Sequence, residues 1–233
     1  MLPFDYYLLP NFSMDYHLPP MFLSILAARI MALVFFSYSQ PLSQPQFDST
    51  AANDTIRVHS SRIGDHMTSI LFVCHGNICR STMAQFVFAD LARQAGRADE
   101  FVVDSAATSR EELGNDVHPG TRRALERAGI PCGHHRSRQM GPADYREFDY
   151  IVGMDAENLA GIYRLLMGER GYGWSWDPVS EAEARRADPE DKVSLLLDWT
   201  DHPRDVADPW YTHNFQVTLD DVLAGCSAML ARL

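Results

Sequence analysis

A cysteine and an arginine joined by a glycine-containing turn form the most informative stretch of the sequence. Residues 74–81 read Cys74, His75, Gly76, Asn77, Ile78, Cys79, Arg80 and Ser81. Gly76 lets the backbone curl, and Asn77 tolerates a left-handed conformation. A loop of this kind that runs into a helix aims several backbone N–H groups at one point, where they can bind an anion.

Cys74 and Arg80 lie on opposite sides of this predicted loop. Helix N-termini and nearby cations favour a thiolate, which predicts that Cys74 is ionised and nucleophilic. The planar guanidinium of Arg80 can reach back across the loop and bind two phosphate oxygens. A buried structural cysteine beside a surface arginine would also fit two residues at this spacing. The whole stretch between a strand and a helix favours phosphate chemistry instead.

The elements that must position this loop alternate between strand and helix. Apolar runs predict strands at residues 70–73, 101–103, 150–152 and 193–197. Helical patterns cover residues 81–95, 119–129, 156–167 and 215–230, and residues 168–191 are predicted to form surface loops with a short helix. Residues 67–233 are therefore predicted to form a single α/β domain, with a central four-stranded parallel sheet and helices on both faces.

Residues 1–66 differ in character and are predicted to be a low-order N-terminal extension. They hold six of the 13 prolines, an apolar segment at 21–39 and a Ser/Pro/Gln/Asp-rich linker at 40–66. Three interpretations are open: a leader outside the native protein, which then starts at Met67; a disordered tail; or a membrane anchor. Arg29 lies in the middle of the apolar segment and no Lys or Arg precedes it, which weighs against the anchor.

The composition excludes several classes of protein. A net charge of −11 argues against a nucleic-acid binder. Four scattered cysteines fit neither a disulfide-rich secreted scaffold nor a zinc site. We therefore expect no metal ion and no other cofactor. Thiols of this kind fit a reducing compartment, so we expect a cytoplasmic protein.

The pattern Cys-x-Gly-Asn-x-Cys-Arg-Ser at the end of the first predicted strand resembles the signature of the low molecular weight protein tyrosine phosphatases. The resemblance extends over residues 68–233. It implies that Cys74 attacks a phosphotyrosine of a protein substrate and forms a phosphocysteine, while Arg80 and the rest of the loop bind the phosphate. The larger tyrosine phosphatases place their Cys-x5-Arg motif late in the domain, so they do not fit.

The resemblance also implies a general acid in an Asp-Pro-aromatic element late in the chain. Asp-Pro, a common turn signal, occurs three times: at Asp177, Asp188 and Asp208. Only Asp208 is followed by two aromatic residues and lies between the last predicted strand and the last helix. These aromatics, Trp210 and Tyr211, are expected to line the substrate cleft. Asp177 is the alternative acid, because tryptophans stand near it at positions 174 and 176.

Further positions match residues that support the site in this family. They are Asn77, Ser105 and His135, which the resemblance implies brace the loop, and Asp155, which it places near the site. Ser81 is expected to donate its hydroxyl to the thiolate and help it leave. The resemblance also implies that Cys79 faces the same pocket, where it could form a protective disulfide with Cys74 under oxidation.

The chain departs from the common family pattern in three places. Thr82 stands where proline often follows the serine. The loop after Ser105 lacks the aromatic residue that often walls the cleft, and Glu111 and Glu112 lie near that place. Residues 168–191 look long for the family. The preferred substrate is therefore open.

Two other activities use the same loop. Protein-arginine phosphatases typically carry Thr where this chain has Ile78, whose apolar side chain favours an aromatic ring. Arsenate reductases need two further redox cysteines, and residues 151–167 contain none. A phosphorylated protein, with phosphotyrosine favoured over phosphoarginine, is therefore the expected partner. Nucleic acid and membrane are not expected partners, and the sequence does not predict the oligomeric state.

Overall fold

The computed structural model describes residues 67–168 and 178–233. The apolar segment at 21–39 and the alternative acid Asp177, with its neighbouring tryptophans, lie outside these residues. The domain boundary at residues 66 and 67 stays a prediction. Within the described ranges, no helix is long and apolar enough to cross a membrane.

Strands and helices alternate along the described residues. The strands are β1 (Thr68–Cys74), β2 (Phe101–Ala107), β3 (Tyr150–Gly153) and β4 (Val193–Leu195). The α-helices are α1 (Arg80–Gln94), α2 (Pro119–Arg127), α3 (Pro142–Glu147), α4 (Ala156–Leu166), α5 (Glu181–Ala187), α6 (Pro209–Thr212) and α7 (Phe215–Arg232). Short 3₁₀ turns at Ala98–Glu100 and Leu196–Trp199 precede β2 and follow β4.

The strands form one parallel sheet in the order β2-β1-β3-β4. β1 pairs with β2 on one side, where Cys74 lies beside Ala107, and with β3 on the other, where Val73 lies beside Gly153. The chain thus moves outward from β1 in both directions. In open α/β sheets, ligands bind beyond the carboxyl end of the strand where this reversal occurs, and here Cys74 occupies that position.

β1 is apolar on both faces because helices cover both faces of the sheet. Ile70 and Phe72 belong to a core that α1 and α7 complete, while Leu71 and Val73 belong to a second core against α4. All four side chains are fully buried. Each contributes roughly 1.5–3 kcal/mol by its burial, so the strand that carries Cys74 is held firmly from both sides.

Element boundaries differ from the sequence prediction at the ends of β2 and β4. β2 continues to Ala107 because Asp104 and Ser105, which interrupt the apolar pattern, still pair with β1. β4 ends at Leu195, where the chain turns into the 3₁₀ segment. The short helices α3 and α6 were not predicted; each begins with a proline at its first turn, and neither is long enough to show a helical repeat.

Candidate active site

The loop between β1 and α1 curls around the sulfur of Cys74. Cys74 ends β1 and is buried. Asn77 adopts the left-handed conformation, with φ of 55°, and its backbone N–H donates to Cys74 Sγ at 3.3 Å. Ser81 Oγ lies 3.1 Å from the same sulfur. Both contacts point hydrogen-bonding groups at the atom that would carry negative charge as a thiolate.

The buried side chain of Asn77 fixes this shape. Its Nδ2 donates to Ser81 Oγ at 3.0 Å and to Ser105 Oγ at 2.8 Å. Its Oδ1 accepts from the backbone N–H of Arg138 at 3.2 Å. Ser105 Oγ in turn donates to Gln85 Oε1 at 2.7 Å. The amide therefore has partners for both donor hydrogens and for its oxygen.

A second chain segment braces the loop from the outside. His135 Nε2 lies 2.8 Å from the carbonyl oxygen of Asn77, and because that oxygen can only accept, Nε2 carries the hydrogen. Ser137 Oγ donates to the carbonyl oxygen of Gly76 at 2.8 Å. Sequence reasoning missed Ser137 and Gln85. Ser137 lies two residues after His135, which the sequence had already singled out, whereas no pattern in the sequence points to Gln85.

Arg80 is the first residue of α1 and is buried despite its charge, with 4% of its side chain exposed. Its Nη1 pairs with Asp155 Oδ2, and its Nη2 lies 2.5 Å from Asp208 Oδ2. Burial lowers the pKa of Arg80, but the negative charges of Asp155, Cys74 and Asp208 outweigh it, so the pKa rises above its ordinary value. The guanidinium therefore stays charged beside the sulfur.

Asp155 and Asp208 are held in the same way at two helix N-termini. Asp155 caps α4, with Oδ1 accepting from the N–H of Asn158 at 2.6 Å. Asp208 caps α6, with Oδ1 accepting from the N–H of Trp210 at 2.8 Å. In both residues the second oxygen contacts Arg80. The caps fix two carboxylates on either side of one guanidinium.

Asp188, the other described Asp-Pro aspartate, has a structural position. Its Oδ1 accepts from the hydroxyl of Tyr145 at 2.7 Å and from the N–H of Lys192 at 2.9 Å. Its Oδ2 accepts from the N–H of Val193 at 2.9 Å. These contacts tie the start of β4 to α3 through the turn that follows α5, so Asp188 is not placed to act as an acid at Cys74.

Comparisons with known proteins agree with this geometry. The profile of the family described as low molecular weight phosphotyrosine protein phosphatase matches residues 69–171. The low molecular weight protein-tyrosine-phosphatase YfkJ of Bacillus subtilis is 36% identical over 169 residues, which cover 72% of this chain and 96% of that protein. The chain belongs to the low molecular weight protein tyrosine phosphatases.

Other members of the family and their structures support this assignment. The human low molecular weight phosphotyrosine protein phosphatase is 44% identical over 96 residues, covering 41% of this chain and 60% of the human protein. The crystal structure of YfkJ is similar to the structure of this phosphatase, with a TM-score of 0.60 and 34% sequence identity. The match covers 72% of this chain and 94% of YfkJ. SP-PTP of Streptococcus pyogenes matches with a TM-score of 0.56 and 33% identity, covering 72% and 93% of the two chains. The predicted family, enzyme class and fold are confirmed.

The phosphatase has a cleft above the β1–α1 loop. Its floor consists of Cys74, His75, Gly76, Ile78, Cys79 and Arg80, and its walls of Glu111, Glu112, Glu157, Asp208, Trp210 and Tyr211. The two wall aromatics are 70% and 62% exposed. The fold thus brings the predicted nucleophile, cation, acid and cleft aromatics into one cleft, with Ser105 and His135 behind the loop. Sequence reasoning did not include Glu157.

Cys79 lies in the cleft beside Cys74, as the resemblance implies. Burial and the negative charge at Cys74 raise the pKa of Cys79 to about 12. Cys79 therefore stays protonated near neutral pH and is a poor nucleophile. Both thiols are free in this structure, and the disulfide between them stays a prediction.

Proposed function

We propose that this chain hydrolyses phosphotyrosine on protein substrates through a phosphocysteine intermediate on Cys74. The observation that carries the proposal is the meeting of three groups in one cleft: the sulfur of Cys74, the buried guanidinium of Arg80 and the carboxylate of Asp208. These groups are a nucleophile, a phosphate-binding cation and a proton donor, which together suffice for phosphoryl transfer to sulfur.

In the first step, the thiolate of Cys74 attacks phosphorus, and the phosphorus–oxygen bond to tyrosine breaks. Arg80 and the loop N–H groups stabilise the three equatorial phosphate oxygens. The phosphate takes the place of the Asp208 carboxylate on the guanidinium, which leaves Asp208 facing the departing phenolate oxygen. Asp208 must carry a proton in this step and gives it to that oxygen.

In the second step, water hydrolyses the phosphocysteine. Asp208, now ionised, takes a proton from the attacking water as the phosphorus–sulfur bond breaks and inorganic phosphate forms. The departing thiolate is stabilised by the hydroxyl of Ser81 and the backbone N–H of Asn77, which already contact Cys74 Sγ. The same two contacts therefore assist both the attack and the departure of the sulfur.

The cleft favours an aromatic leaving group. Ile78 lines it together with Trp210 and Tyr211, and an apolar side chain with two aromatic rings can pack against the ring of phosphotyrosine. Cys132 and Cys226 are not among the lining residues, which argues against an arsenate reductase.

Hydrolysis of matched phosphotyrosine and phosphoarginine peptides tests the proposal. We expect faster release of phosphate from the phosphotyrosine peptide, inhibition by vanadate, and a phosphocysteine that acid quenching traps. Cys74→Ser should abolish turnover because a hydroxyl is a far weaker nucleophile than a thiolate. Activity that survives in Cys74→Ser would refute the mechanism, and faster hydrolysis of phosphoarginine would refute the substrate.

A further inference from the structure

The walls of the cleft carry an excess of negative charge. Glu111, Glu112 and Glu157 line it in addition to Asp208, against the single guanidinium of Arg80. Burial and the nearby charge of Asp155 raise the pKa of Glu157, as expected for a carboxylate among other carboxylates. Once a phosphate occupies Arg80, the charged side chains that remain on the walls of the cleft are carboxylates.

Glu111 and Glu112 lie at the mouth of the cleft, the part of its walls that opens to solvent, and both contact the β1–α1 loop. Glu111 Oε2 lies 3.2 Å from Nε2 of His75, and the Glu111 side chain is 53% exposed. The stem of Glu112 packs over Gly76, where an added Cβ would lie 3.1 Å from Glu112 Cγ. Glu112 Oε2 also accepts from Asn115 Nδ2 at 2.5 Å. Both carboxylates therefore have defined positions and are open to a ligand.

We propose that Glu111 and Glu112 select protein substrates in which lysine or arginine flanks the phosphotyrosine. The proposal rests on the proposed function, because it takes the phosphate as bound at Cys74 and Arg80. The polypeptide on either side of a bound phosphotyrosine must pass the mouth of the cleft. A cationic side chain there meets the two glutamates, and an acidic one is repelled by them.

Two phosphotyrosine peptides test this selection. They have the same length and differ only in carrying lysine or glutamate on both sides of the phosphotyrosine. At low ionic strength we expect wild-type kcat/KM to be about tenfold higher for the lysine peptide, since two exposed ion pairs replace two repulsions. The preference should shrink to about twofold near 1 M salt, where screening is strong. In the double variant Glu111→Gln/Glu112→Gln, the preference for the lysine peptide should be only about twofold at low salt.

A matched control removes the same charge elsewhere. Glu126 and Glu147 are exposed residues of α2 and α3 that are not among the lining residues of the cleft. The double variant Glu126→Gln/Glu147→Gln should keep the wild-type preference, which separates the two cleft glutamates from the overall charge of −11. A wild-type ratio near one, a preference for the glutamate peptide, or an equal fall in both double variants would overturn the proposal.

Binding to Cys74→Ser separates this proposal from the proposed function. Calorimetry should show the lysine peptide binding this variant about tenfold more tightly than the glutamate peptide. If the wild type hydrolyses neither peptide but this binding ratio is observed, the proposed function fails and the selection stands. If the wild type hydrolyses both peptides equally and Cys74→Ser hydrolyses neither, the function stands and the selection fails.

Discussion

Asn77 offers a direct test of how the β1–α1 loop is held in its shape. The residue is fully buried and adopts φ of 55°. Its side chain makes hydrogen bonds to Ser81, Ser105 and the backbone N–H of Arg138. Asn77→Ala removes all three bonds and leaves alanine in the left-handed region. Asn77→Gly removes the same bonds, but glycine adopts that region readily.

The expected loss of stability follows from these contacts. Each bond contributes about 1 kcal/mol net, and a buried group left without its partner adds to the loss. Ser105 keeps its bond to Gln85, whereas the N–H of Arg138 loses its acceptor, so about 3 kcal/mol is expected for Asn77→Gly. In Asn77→Ala, the left-handed conformation of alanine destabilises the folded state, while the lower entropy of unfolded alanine compared with glycine offsets part of this cost. The net additional loss of stability relative to Asn77→Gly is about 1 kcal/mol. Asn77→Ala should therefore lose about 4 kcal/mol, a large share of the roughly 5–15 kcal/mol of a typical domain.

Urea unfolding and steady-state kinetics on an aryl phosphate measure the two effects. Besides the loss of stability, both variants should lose about 100-fold in kcat, because a shift of the loop displaces the N–H groups aimed at the phosphate. Gln216→Ala is a suitable control: Gln216 is exposed on α7 and bonds Asp220 at the surface, so its free energy of unfolding should change by less than about 0.5 kcal/mol.

Three results would contradict these expectations. A loss below about 1 kcal/mol in Asn77→Ala would mean that the three bonds do not hold the loop. Greater stability of Asn77→Ala than of Asn77→Gly would mean that the left-handed backbone is not required. Full kcat in a clearly destabilised variant would show that catalysis does not depend on these three hydrogen bonds.

Three further predictions concern the acid, the core and the effect of pH. Asp208→Asn should lower kcat by about 10²–10⁴-fold on aryl phosphates with poor leaving groups, and much less on those with good ones, with substrate binding spared; a leaving-group series measures this. Gly225→Ala would place a Cβ 2.5 Å from Leu196 Cγ and should lower the free energy of unfolding by about 1–3 kcal/mol. Gly141→Ala has no neighbouring heavy atom within 4 Å and should lower it by only about 0.5 kcal/mol, because Gly141 is the N-cap of α3 and alanine is a poorer N-cap than glycine. Burial raises the pKa of Asp221, but hydrogen bonds from an arginine and a backbone N–H outweigh it and lower the pKa below its ordinary 3.8. Ionised Asp221 therefore stabilises the folded state above pH 3.8, and this stabilisation is lost as the pH falls through the lower pKa of the folded state. Asp221→Asn should be less stable than wild type at neutral pH, and the difference between the two proteins should shrink in acid.

Each of these predictions has a contradicting result. An equal loss for good and poor leaving groups would argue that Asp208 is not the acid. Equal stability of the two glycine variants would show that the interface between α7 and the segment after β4 can yield without strain. If the difference in stability between wild type and Asp221→Asn grew as the pH fell, the pKa of Asp221 would not be lowered by folding.

The centre of the site could be predicted because its chemistry is local in sequence. Residues 74–81 are consecutive, and a buried strand, a turn and a helix start are enough to bring Cys74 and Arg80 to one cleft. Asp208 was placed by its order along the chain, between the last strand and the last helix. The Asp-Pro dipeptide alone could not distinguish it from Asp188, which the structure uses to anchor β4.

The contacts that support the loop come from residues far away in sequence. Ser137 bonds the carbonyl of Gly76 across 61 residues, and Asp155 reaches Arg80 across 75 residues. Asp155 reaches Arg80 because β3 and β1 are adjacent parallel strands that end at the same edge of the sheet. Ser137 reaches the loop because the neighbouring Gln139 forms a bridge with Ala107 at the end of β2. The resemblance placed Asp155 near the site, whereas the contact of Ser137 depends on local backbone geometry that the sequence did not reveal.

By itself, the sequence determined the fold class, because hydrophobic repeats encode it. It also predicted Cys74 as the nucleophile and Arg80 as the phosphate-binding cation, because both lie in one continuous loop. Only the tertiary structure decided that Asp155 and Asp208 share the guanidinium of Arg80 and that Glu157 joins Glu111 and Glu112 at the cleft. The physical reason is that charge acts through space. The field at the site depends on which carboxylates the packing of separate elements brings within a few ångströms.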